Sequence, residues 1–551
     1  MAEASDNLTM GVPRNQSWPL ALAFIFALLV LSLAPGSGDG KVRVTTYHNN
    51  PARQGSNVLE TILRPDNVNA RQFGKIFTRP VDGYVYTQPL YLPDVRVPHK
   101  GAHNVVFVAT EHDSVYAFDA DDADGANAAP LWKTSFIDPA AGIRPAPAQD
   151  VNEYGCSDIV PEIGITGTPV IDAAAGILYL VSKTEENGQI VQRLHALDVR
   201  TGAERLGGPV VISAALPGTG AASSGGVVRF DPLREHQRAG LLLQDGMVYI
   251  TWASHCDGWP YHGWVMAYDA RTLHQIAAWN ATPNGVGGGI WQSGAAPAGD
   301  GKDIYFATGN GVFDAFPKGG LNFGNSVVRL GMSNGRAFSV VDYFTPYDQE
   351  ALNASDIEPG SGGVVLLPRL SALRGKQLMA VTGKSGTIYL LDAGHMGKFD
   401  PTGDTGIVQA IPLASAGVWG TPAWWNGTLY VGGTWDTLKA FKFDSQNSNF
   451  AVVPESQSST SFQFPGPTPS ISANGNQSGI VWIIQADGYV DGSSEILRAY
   501  DATDLQRELY NSNENPQRDN PGGAVKFAVP TIANGKVYVG AKGQLSVYGL
   551  R

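Results

Sequence analysis

Five side chains of complementary chemistry sit at turns of this glycine-rich chain. Trp291 and Asn310 bracket the apolar stretches of "GGGIWQSGAAPAGDGKDIYFATGNG" (287–311). Asp356 lies in "NASDIEPGSGGVVLLP", Lys384 in "LMAVTGKSGTIYLLD", and Asp257 in "WASHCDGWPYHGWVMAYD". A carboxylate can take a proton from a hydroxyl, and an ammonium can stabilise negative charge as it develops. Carboxylate and amide oxygens suit a hard cation, and an indole offers a flat apolar face. Two acids and an amine gathered in one narrow channel cost several kcal/mol per desolvated ion unless they are paired or bind a metal.

The elements that would gather them follow from a repeat. A strand resembling "VYAFDA" recurs from Val115, Leu194, Val265, Val327, Ile388, Leu438, Leu497 and Leu545. Most copies follow a Gly/Thr-Pro turn and another strand, as in "GTPVIDAAAGILYLVS" from Gly167 and "GTPAWWNGTLYVGG" from Gly420. Each unit thus reads as a small antiparallel sheet that cannot bury both faces alone. Radial stacking of eight such sheets predicts an all-β, eight-bladed β-propeller with four-stranded blades; seven blades with a decorated insertion is the alternative. The last unit lacks an outer strand and "FGKIFTRPV" from Phe73 lacks a sheet, so the two are expected to pair and close the ring.

In an antiparallel blade the start of the first strand and the end of the second share one edge. Trp291 at the head of a first strand and Asn310 after a second therefore reach one face near the axis. Asp356 and Lys384 do the same one blade on, and Cys256, Asp257, Tyr261 and His262 one blade back. Cys156-Ser157, ahead of "GITGTPVID", belongs to the same face. Gly287–Gly289 admits close backbone approach there.

The eight units, "GGIWQSG…YFATGN", "KSGTIYLLD" and the Asp-x-acid turn resemble the quinoprotein alcohol dehydrogenases, propellers that hold pyrroloquinoline quinone (PQQ) with calcium on the axis. The resemblance spans about residues 41–551. It implies that Trp291 underlies the quinone ring, that Asn310 and Asp257 ligate calcium, that Asp356 is the base for the substrate hydroxyl, and that Lys384 hydrogen-bonds the quinone oxygens. It also implies a small-molecule alcohol substrate and an external electron acceptor. Where the family carries two adjacent cysteines closing a ring over the cofactor, this chain reads Cys156-Ser157, so that bridge cannot form. The second reading is a cofactor-free exported propeller that serves as a binding or assembly scaffold. Each residue has a plainer role as well: Trp291 as a channel plug, Asn310 and Asp356 as turn formers, "KSG" as an ordinary hairpin loop.

Composition removes other classes. Of 551 residues 38 are Lys or Arg and 50 are Asp or Glu, a formal charge of −12 that disfavours nucleic acid as a partner. Two cysteines without a CxxC pair exclude zinc knuckles and covalently attached haem. No G-x-S-x-G elbow and no phosphate-cradling glycine loop opens a helix. His112, His195, His255, His262 and His395 lack metal spacing, although His255 and His262 flank Asp257.

Trp18 to Ala34 is an uncharged apolar run, read as a secretory signal or a single-pass membrane anchor within residues 1–40, ahead of a propeller at 41–551. Either places the body outside the cytoplasm, in a secreted, periplasmic or otherwise extracytoplasmic setting, where a Cys156–Cys256 bridge is chemically allowed. Asn280, Asn353, Asn426 and Asn476 open glycosylation sequons.

Overall fold

The computed structural model describes residues 40–551 apart from 123–124, 126–127, 151–157, 318, 370–372 and 374. The apolar run at 18–34 and the pair Cys156-Ser157 lie outside the described residues. Among the described residues no helix is long and apolar enough to cross a membrane.

Eight antiparallel sheets succeed one another along the chain, over residues 90–135, 170–211, 242–280, 298–344, 363–412, 423–462, 470–511 and 531–550. They are the blades of an eight-bladed propeller, numbered here 1 to 8; seven of the "VYAFDA"-like segments fall on third strands, and the eighth, from Leu545, is the second half of the long strand Lys536–Leu550 of a three-stranded blade 8. The repeat has a local cause. The Asp that ends the strand folds its carboxylate back onto the amide two residues on: Asp119 to Asp121, Asp198 to Arg200, Asp269 to Arg271, Asp392 to Gly394 and Asp501 to Thr503, at 2.8–3.0 Å. Such Asx turns stop one strand and start the next.

The residue after that Asp joins neighbouring blades. Tyr179 of blade 2 donates its hydroxyl to Ala270 O of blade 3 at 2.5 Å, and Tyr430 of blade 6 to Ala502 O of blade 7 at 2.7 Å. Tyr538 of blade 8 reaches Ala120 O of blade 1 at 3.5 Å, so the seam where the ring closes uses the same contact. Between blades the sheets bury whole aromatic side chains, with Trp252 and Trp264 packed edge-on against Phe230. Each buried side chain of this size contributes about 1.5–3 kcal/mol.

Closure occurs as the sequence leads one to expect. Phe73–Tyr84 pairs antiparallel with the last strand, Phe73 opposite Leu550 and Arg79 opposite Leu545. The other half of that strand pairs with Thr531–Ala533.

A feature without a sequence signal runs along the first strands of the blades. Residues 44–57 run past successive first strands and bond one residue of each. Thr45 O accepts from Ile171, Pro51 O from Gly299, Ala52 O from Leu366, Gln54 O from Trp424 and Gly55 O from Ile471, at 2.7–2.9 Å. This segment crosses blades 2, 4, 5, 6 and 7 in turn. Arg53, wholly buried, anchors it by donating to Pro297 O and to Thr46.

Of the four sequons, Asn280 is buried on the outer strand of blade 3, where its Oδ1 accepts from Thr282 N–H, so a glycan there does not fit the fold. Asn353, Asn426 and Asn476 are exposed.

Candidate functional site

The three glycines before Trp291 let two backbone segments bond directly. Gly288 N–H donates to Asn310 O at 2.6 Å, and Gly309 N–H to Gly289 O at 2.7 Å. Gly287 has φ +83°, and a Cβ there would stand 2.4 Å from Asn310 O. Side chains are excluded at this crossing, so Trp291 and Asn310 are held as neighbours. Trp291 does not begin a strand, however. It precedes a 3-10 turn, Gln292–Gly294, and the first strand starts only at Ala298. Gln292 fixes that turn by donating to Ala295 O and accepting from Ala307 N–H.

Blade 5 repeats the arrangement. A short helix, Gln349–Ala354, absent from the sequence reading, precedes the loop at 356–361. Lys384 N–H donates to Glu358 O at 3.0 Å, and Gly362 N–H to Thr382 O at 2.9 Å. A Cβ on Gly383 would meet Pro359 C at 2.3 Å. These contacts bring Asp356 and Glu358 beside Lys384.

Trp291, Asn310, Asp356, Lys384, Asp257 and Glu358 all line one cavity of about 310 Å³. This lies at the small end of the roughly 300–1,000 Å³ typical of small-molecule sites. The five described residues singled out from sequence are therefore brought together. Tyr261 and Cys256 join them, and Cys256 is disulfide-bonded. His262 does not line the cavity; its ring contacts Thr282 Oγ1 and Ala221 O.

The charges are linked through Lys384. Its ammonium donates to Asp356 Oδ1 at 2.6 Å and lies 2.9 Å from Glu358 Oε2. The second contact is a charge-assisted ion pair that holds Glu358 against the ammonium. Asn310 Nδ2 shares Asp356 Oδ1, leaving Asn310 Oδ1 buried and without a partner among the described residues. Trp291 Nε1 donates to Glu358 Oε1 at 3.2 Å, and the Lys384 ammonium stands 5.8 Å from the indole centroid.

The two acids differ in setting. The Asp356 side chain is 62% exposed and that of Glu358 only 2%. Burial pushes the Glu358 carboxyl up to about 7, and the nearby Lys384 only partly opposes this. Burial also works against the Lys384 charge, but Glu358 and Asp356 outweigh it and hold its pKa above the ordinary value. Glu358 is the residue that sequence reasoning missed, although the Asp-x-acid spacing pointed at it.

Asp257, exposed and at φ +50°, accepts from the buried Tyr261 hydroxyl at 2.8 Å. Among the described residues no three His, Cys, Asp or Glu side chains converge on one point where a metal could sit. A metal here would need oxygens from a bound ligand in addition to Asp257 and Asn310.

An aromatic wall completes the chamber. Phe527 meets Trp291 edge-on at 6.0 Å and Phe464 at 6.2 Å, and Phe464 meets Trp419 at 5.0 Å. A flat indole, an orphaned amide oxygen and an ammonium around a slot of this size fit a planar, oxygen-rich ligand.

No family model and no curated protein matches the chain. Solved structures do match in fold. Quinohemoprotein alcohol dehydrogenase ADHIIG from Pseudomonas putida HK5 is 15% identical, with TM-score 0.59 over 92% of this chain and 80% of that one. A europium-containing methanol dehydrogenase is 13% identical, with TM-score 0.59 over 93% and 98%. BamB from Moraxella catarrhalis is 12% identical, with TM-score 0.47 over 87% and 99%. At these identities the likeness is one of fold.

Proposed function

We propose that this protein is an exported quinoprotein oxidoreductase that oxidises a hydroxyl substrate in the hub chamber and passes the electrons to an external acceptor. The observation that carries the reading is the meeting of Trp291, Asn310, Asp356, Glu358 and Lys384 in one chamber. A bound PQQ with calcium supplies a polarised carbonyl that accepts hydride from the alcohol carbon.

The chain's own residues supply the rest. Trp291 offers its face for stacking while its N–H stays tied to Glu358, which fixes the ring's orientation. Asn310 Oδ1 and Asp257 are the protein oxygens for calcium. Asp356, the exposed carboxylate, takes the proton from the substrate hydroxyl. Lys384 stabilises negative charge on the acceptor side, and Glu358 holds its ammonium in place. Export agrees with the apolar run at 18–34 and with a disulfide at Cys256.

A second reading, a cofactor-free scaffold, is favoured by one observation: the Lys384 ammonium is already paired with Asp356 and Glu358 without any ligand. Reconstitution separates the two. Purified protein incubated with PQQ and calcium is assayed for alcohol-dependent dye reduction across primary, secondary and polyhydric alcohols. Turnover with any of them supports the oxidoreductase, and none at saturating cofactor leaves the scaffold.

A further inference from the structure

Three strong cations line the chamber, and two are matched. Lys384 is held by Asp356 and Glu358, and Lys526 by Asp158 at 2.6 Å. The third, Arg238, is 3% exposed and has no carboxylate within ion-pair distance among the described residues. Its Nη1 donates to Thr166 O at 2.8 Å, whereas Nε and Nη2 are buried with no hydrogen-bond partner among the described residues. Burial lowers its pKa to about 10, opposed only by the phenols of Tyr47 and Tyr86, so it stays charged at neutral pH.

A buried guanidinium with two idle donors is costly, because both desolvation and unmade hydrogen bonds count against the fold. The head group lines the chamber. The head group packs over Gly294, whose Cβ would stand 2.5 Å from Nη1, in the turn that follows Trp291. It also lies 5.7 Å from the centroid of Phe527, the ring that Trp291 meets edge-on. Indole and guanidinium thus border the same phenyl ring. Nε and Nη2 form the fork that receives a carboxylate with two parallel hydrogen bonds.

We infer that Arg238 is the anion clamp of the chamber, and that its ligand is a planar aromatic acid whose ring lies against Trp291 and whose carboxylate bonds Nε and Nη2. The inference rests on the chamber holding a flat ring. The carboxylate belongs either to the quinone cofactor or to another aromatic acid.

Calorimetric titration of the full chain tests this with PQQ, with 2-naphthoate and with 2-naphthamide, on wild type, Arg238→Met and Arg238→Lys. Wild type is expected to bind 2-naphthoate at least tenfold more tightly than its amide. Arg238→Met should abolish that preference and weaken PQQ at least tenfold. Arg238→Lys should weaken both acids less. The ligand-free Arg238→Met protein should melt no lower than wild type, since a purely structural arginine would lower it. If 2-naphthoate discriminates but PQQ does not bind, the clamp stands and the quinone reading falls. Equal affinity for acid and amide, unchanged binding by Arg238→Met, or no binding of either acid to wild type overturns the clamp.

Discussion

Replacing Glu358 by Gln should change how the fold's stability depends on pH. The carboxyl moves from 4.5 in the unfolded chain to about 7 in the folded one because it is buried. At about 1.4 kcal/mol for each tenfold change in proton affinity, its ionisation in place costs about 3 kcal/mol. Between those two pH values the folded form keeps a proton that the unfolded chain releases. The contribution of Glu358 to stability is therefore greatest below pH 4.5, falls as pH rises toward 7, and then levels off. Lys384, held above its usual value, adds stability that is present at low and neutral pH and disappears only in strong alkali, outside this window. Glu111, Asp113, Glu235 and Glu495 are raised by burial too and slope both proteins alike, so the informative quantity is the difference between wild type and variant. The Gln side chain keeps an oxygen for Trp291 N–H and has no proton to lose. Denaturant unfolding followed by tryptophan fluorescence from pH 4.5 to 8 should give a difference curve that shifts by about 3 kcal/mol in favour of Glu358→Gln. Parallel curves would refute the assignment of the buried, strained acid to Glu358.

Asp356→Asn in the reconstituted protein should lower turnover by about 10²- to 10⁴-fold while PQQ affinity changes little, as read by dye reduction alongside titration. Gly287→Ala places a methyl 2.4 Å from Asn310 O at a left-handed φ, and thermal melts should show a loss of about 1–3 kcal/mol. Truncation after Gly543 removes Leu545, Val547 and Tyr548, all fully buried, together with the pairing to Phe73–Tyr84. At about 1.5–3 kcal/mol each these three side chains alone rival the 5–15 kcal/mol stability of a typical domain, so circular dichroism should show loss of cooperative folding.

What the sequence made legible was short in range. The Asp that ends the third strand in five of the blades writes its own turn within two residues, so the repeat can be read directly. The glycines at 287–289 announce a close crossing, and blade topology then places Trp291 beside Asn310. What stayed hidden depends on contacts between distant segments. "DIEPG" reads as a polar turn, and only Lys384 and Trp291 from other loops make Glu358 a buried acid. Nothing in "HQRAG" singles out Arg238, which is enclosed by the turn after Trp291 and the distant Phe527. The 44–57 segment spends single hydrogen bonds on one blade after another, a pattern with no local periodicity.

Equilibrium titration of PQQ into the purified protein, with and without calcium, compares wild type with Trp291→Ala. Saturable one-to-one binding to wild type is expected, which calcium tightens and Trp291→Ala weakens by about tenfold or more, in line with the ~1–3 kcal/mol lost when a stacking aromatic is removed. Absence of saturable binding to wild type under both conditions, or affinity indifferent to the loss of Trp291, would contradict it.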